Sequence, residues 1–71
     1  MYLIELHNGD KAIVKRINGG TNLTRRLLQM GVIPGVEIKV IRNNKYGPMI
    51  LEIFGNKVMI GRGMASAIEV G

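Results

Sequence analysis

The chain has 71 residues and no cysteine, and its ten Lys and Arg against five Asp and Glu give a formal charge of +5. That length is room for a single domain over residues 1–71 with one small core, and the missing cysteines exclude disulfides and thiolate metal sites. No apolar run approaches the roughly 18 residues of a membrane-spanning helix, and residues 1–6 lack the charged start and long apolar stretch of a secretory leader, so a cytoplasmic location is expected.

Taken along the chain, residues 3–6 are a possible first strand. Asn8-Gly9-Asp10 is a turn signal, since Asn and Gly tolerate positive φ. Residues 11–17 are rich in β-branched side chains and read as a strand with Val14 on its inner face. Ile17 falls out of step with Val14, which predicts a bulge near Arg16. Residues 21–30 form the one convincing helix, capped by Thr21 or Asn22 and closed by Gly31. Leu23, Leu27 and Met30 recur at helical spacing, and Leu28 widens the stripe. Arg25 and Arg26 lie off it.

Pro34-Gly35 is a turn in which Pro presets φ and Gly accepts the positive value at the next position. Residues 36–42 then alternate, with Val36, Ile38 and Val40 on one face. After a polar loop over 43–48, residues 49–54 make the next strand, Gly55-Asn56 reads as a two-residue hairpin turn, and 57–60 return antiparallel. Gly61-Arg62-Gly63 breaks that strand, Met64-Ala65 is a single helical turn, and 67–70 form the last strand. The expected fold is mainly β: a small barrel of five or six strands with one short inserted helix. Its expected core is Val14, Leu27, Val36, Ile38, Val40, Leu51, Ile53, Val58, Ile60, Ile68 and Val70.

The segment Arg25-Arg26-Leu27-Leu28-Gln29-Met30-Gly31-Val32-Ile33-Pro34-Gly35 resembles the signature of the ferrous iron transport protein A (FeoA) family. Gly47-Pro48 before an apolar strand and the closing run Val58 to Val70 fit the same family, so the resemblance covers nearly the whole chain. It implies an SH3-like barrel with a helix inserted after the first barrel strand. It also implies a non-catalytic accessory that docks on and modulates a FeoB-type GTPase permease, reaching the membrane only through that partner. The same module occurs fused to iron-dependent repressors. With nothing before Met1, the free-standing form is the expectation. The chain departs from many members in having Gly61, Gly63 and Met64 where a second Arg and acidic residues stand.

The residues themselves offer no catalytic constellation. His7 is the one His, so every Ser–His or Cys–His pairing would depend on it, and its place beside a turn reads as exposed. His7 with Glu5 and Asp10 could supply three metal ligands, but Glu5 and His7 lie at i, i+2 before a turn that would have to fold back, so neither a metal site nor a cofactor is expected. The Gly-rich turns lack the Lys-Ser/Thr of a phosphate loop.

The informative feature is apolar residues on the outward phase of strands: Ile13, Ile41, Ile50, Phe54 and Met59. On the paired strands over 49–60 they form an exposed patch, unless the helix or residues 3–6 cover it. Arg25, Arg26, Phe54, Met59 and Arg62 are therefore the nominated partner-binding residues, the arginines steering the encounter and the apolar pair anchoring it. An arginine finger completing the permease's GTPase site is a further version of the same idea. The positive charge also fits plain solubility, or a nucleic-acid-binding SH3-like or Sm-like barrel. Such barrels stack bases on aromatic platforms, and Tyr2, Tyr46 and Phe54 are all this chain has, so no nucleic acid is expected.

Overall fold

Alternation sets most of the strands. A computed structural model describes Met1–Gly71. In chain order it has a 3-10 turn (Leu3–Glu5), β1 (Lys11–Ile17), α1 (Thr21–Gln29), β2 (Glu37–Arg42), β3 (Met49–Ile53), β4 (Asn56–Ile60), a one-turn α2 (Arg62–Ala65) and β5 (Ile68–Val70). The strands form one antiparallel sheet in the order β4-β3-β2-β1-β5. Register slips between Val14 and Arg16 where β1 meets β5, so the bulge expected near Arg16 is present.

One apolar cluster fills the inside. Every expected core residue is buried except Val36 and Val58, which are half-buried against it. Leu3, Leu6, Val32, Met49 and Ala65 are buried as well.

Three expectations need correction. Residues 3–6 are not a strand: a 3-10 turn brings side chains at i and i+3 to one side, and Leu3 and Leu6 thereby both reach the core. The Tyr2 N–H donates to Glu5 Oε2 at 2.6 Å and holds that turn. Second, α1 starts at Thr21 with Gly20 as its N-cap and no side-chain cap, so neither Thr21 nor Asn22 plays that role. Leu28 stays exposed instead of widening the stripe, because Leu27 alone of the helix reaches full burial.

Third, the hairpin turn is Phe54-Gly55, not Gly55-Asn56. Ile53 pairs with Asn56, and both turn residues have positive φ, +53 and +77, as a type I′ turn requires. The two registers differ by a two-residue slide and keep the same faces inward, so alternation does not choose between them. The observed one sets buried Met49 opposite buried Ile60.

The end of α1 follows the expectation. Gly31 has φ +92, and its N–H donates to Leu28 O at 3.1 Å while the Val32 N–H donates to Leu27 O at 3.0 Å. This is a Schellman closure. The Val36 N–H then donates to Ile33 O at 3.0 Å across Pro34-Gly35, with Gly35 at φ +94, the expected turn.

Candidate functional site

The outward phase of the β3–β4 hairpin places Ile50 opposite Met59 and Glu52 opposite Lys57. Ile50 is half-buried and Met59 is 62% exposed. The N-terminal 3-10 turn packs against β5 and α2, so residues 3–6 do not cover this face.

Phe54 has left the strand. It stands at the hairpin tip, 70% exposed, in the left-handed region that a bulky side chain rarely occupies. Its ring leans on the closure of α1: a Cβ at Gly31 would lie 3.8 Å from Phe54 Cδ2. A shallow groove runs beside it, lined by Val36, Lys11, Lys39 and Glu52. Met59 sits roughly 10 Å or more up the strand from the tip, at about 3.3 Å per residue, with the Glu52–Lys57 pair between. Phe54 and Met59 are thus two separate apolar points rather than one patch.

The three nominated arginines are also divided. Arg25 and Arg26 are exposed on α1 and make no ion pair; the Arg–carboxylate pair in the molecule is Arg16–Glu69, at 3.3 Å. Arg25 lies beside exposed Leu28 in a second concavity with Thr21 and Thr24. Arg62 is half-buried and committed: its Nη1 donates to Asn43 Oδ1 at 2.9 Å and to Asn44 O at 2.6 Å.

Asn43 is the residue that sequence reasoning missed. Its Nδ2 donates to Ile4 O at 3.0 Å and Leu6 O at 2.6 Å, and its N–H donates to Asn8 Oδ1 at 2.6 Å. It therefore ties the N-terminal segment, the 43–47 loop and α2 together. Nothing in an Asn43-Asn44 pair within a polar loop marks one of them as the hub.

Asp10 lies beside His7, its Oδ2 3.7 Å from His7 Nδ1, but Glu5 does not join them as a third ligand. Glu5 accepts from Tyr2, and Asp10 Oδ2 accepts the His7 N–H at 2.7 Å. No three His, Asp or Glu side chains gather as a metal-binding group, and no helix is long and apolar enough to cross a membrane. What this surface offers is exposed side chains for contact: two apolar points, two unpaired guanidinium groups and a loop braced by Arg62.

The FeoA domain model matches residues 1–71. The chain is 44% identical over 62 residues to an Fe(2+) transport protein A of Methanocaldococcus jannaschii, covering 87% of this chain and 74% of that protein. It is 35% identical over 71 residues to a Fe(2+) transport protein A/Fe(2+) transporter FeoB fusion protein of Porphyromonas gingivalis, covering 99% of this chain and 8% of that one. A crystal structure of an iron uptake regulatory protein (FeoA) superposes with a TM-score of 0.95 at 38% identity, covering 99% of this chain and 93% of that one. A zinc-complexed FeoA of Stenotrophomonas maltophilia, described as an SH3 domain protein, superposes with a TM-score of 0.86 over 100% of this chain and 89% of that one. At 21% identity it bears on the fold alone. The fold is mainly β and SH3-like.

Proposed function

The chain belongs to the FeoA family of ferrous iron transport, and from that premise we propose that it is a non-catalytic cytoplasmic accessory that docks on a FeoB-type permease and modulates it. The observation that carries this reading is the match to the Porphyromonas gingivalis fusion, in which a segment similar to this whole chain shares one polypeptide with a FeoB transporter. Fusion raises the effective concentration of two modules for each other, and it is favoured between modules that act together. The surface suits that role: exposed Arg25 and Arg26 steer the approach, and exposed Phe54 and Met59 supply anchors. Arg62 contributes by bracing the 43–47 loop.

Titrating the purified chain against detergent-solubilised cognate permease, with and without guanine nucleotide, tests the reading directly. Saturable binding, with altered iron uptake in cells lacking the chain, is expected. Absence of binding in every nucleotide state would overturn it.

A further inference from the structure

The two ends of the sheet are treated differently. At the β5 end the N-terminal segment closes the edge: Tyr2 bridges Glu69, and the Val70 N–H donates to Met1 O at 2.8 Å. At the other end β4 pairs with β3 alone. The tight Phe54-Gly55 turn makes Ile53 and Asn56 a hydrogen-bonded pair, so by antiparallel alternation Asn56, Val58 and Ile60 turn their backbone groups towards β3. Those of Lys57 and Met59 turn outward, and no loop, turn or cap hydrogen bond ends on either residue.

We propose that this open edge takes up an extended segment of the permease as an added strand, with an acidic residue opposite Lys57 and an apolar residue opposite Met59. Two N–H and two C=O groups at i, i+2 spacing are complementary to an extended backbone. Side chains set the rest. Met59, exposed and flanked by Ile50, seats an apolar residue, and Lys57 together with the chain's charge of +5 selects an acid. A second copy is a poor occupant. Two-fold pairing about Lys57 sets like charges opposite each other and pairing about Val58 sets Lys57 against Met59; pairing about Met59 avoids both, but in every register two +5 chains repel. The inference rests on the docking reading above and specifies its mode.

Amide hydrogen exchange on the full chain, with and without solubilised FeoB-type permease, tests it together with Met59→Pro. That substitution deletes an outward N–H and leaves the β3 ladder intact. Slower exchange at Lys57 and Met59 on binding, and at least a tenfold loss of affinity in Met59→Pro, are expected. Binding with unchanged exchange at both amides would overturn the edge mode while leaving docking intact. No binding by the parent chain would overturn both. Protection that grows with the chain's own concentration, without permease, would assign the edge to a second copy and overturn the proposal. Should Met59→Pro unfold, the exchange measurement decides alone.

Discussion

Gly31 carries two constraints at once. Its φ of +92 disfavours any side chain, and a Cβ there would lie 3.3 Å from Ile53 Cγ2. The left-handed conformation alone costs an L-residue about 1–2 kcal/mol, and β-branching adds to it. Gly31→Val should therefore lower the denaturant midpoint clearly, and more than Gly31→Ala; an unchanged midpoint would mean that the Schellman closure contributes nothing. Phe54 poses the opposite case, because its positive φ stabilises nothing by itself. Phe54→Gly should leave stability unchanged or raise it by about 1 kcal/mol as backbone strain is relieved. Phe54→Ala should raise the dissociation rate from the permease. A large stability loss in either variant would recast the ring as a packing element on α1 rather than an anchor.

At the scale of elements, α1 is held down by one fully buried side chain, Leu27, with Leu23 and Met30 only partly buried. A helix of this length is marginal alone in water, so Leu27→Ala should cost on the order of 2–5 kcal/mol. A chain of this size has roughly 4–10 kcal/mol in all, so the melting temperature should fall steeply. Asn43→Ala strips donors from Ile4 O and Leu6 O and an acceptor from Arg62, and should cost about 1–3 kcal/mol by leaving part-buried groups unpaired. The strands, their faces and the helix were legible because period-2 and helical spacing speak directly about burial. Val14, Ile38, Leu51 and Ile68 are each where alternation puts them. The hairpin register was not legible, since both turn positions keep the same residues inward and only the Met49–Ile60 pairing separates them. Leu3–Glu5 was hidden too, for three residues carry no period. Of the candidate site, the exposure of Met59 could be read from phase, whereas Phe54 is exposed because it lies in the turn, which alternation did not locate. The tethering of Arg62 could not be read either, because it depends on where a loop from elsewhere in the chain arrives.

For the whole molecule, the surplus charge acts at long range and the apolar points act only on contact. Removing Arg25 and Arg26 together by alanine should mainly slow association with the permease and flatten its salt dependence, with little change in the dissociation rate. If neither that pair nor Phe54→Ala altered binding or iron uptake while both stayed folded, the docking surface would lie elsewhere. The arrangement of the sheet has a further consequence, for synthesis. β2, β3 and β4 follow one another as a meander of neighbouring pairs, whereas β1 finds its second neighbour only in β5, with Arg16 and Glu69 separated by 53 positions. Closing so long a loop comes late, after the local pairs have formed. On the ribosome, β1 must therefore wait, half-paired, until Ile68–Val70 leave the exit tunnel. Nascent chains arrested before Val70 emerges should remain open to protease at β1 while the β2–β4 meander is already protected, and early protection of β1 would contradict this order of assembly.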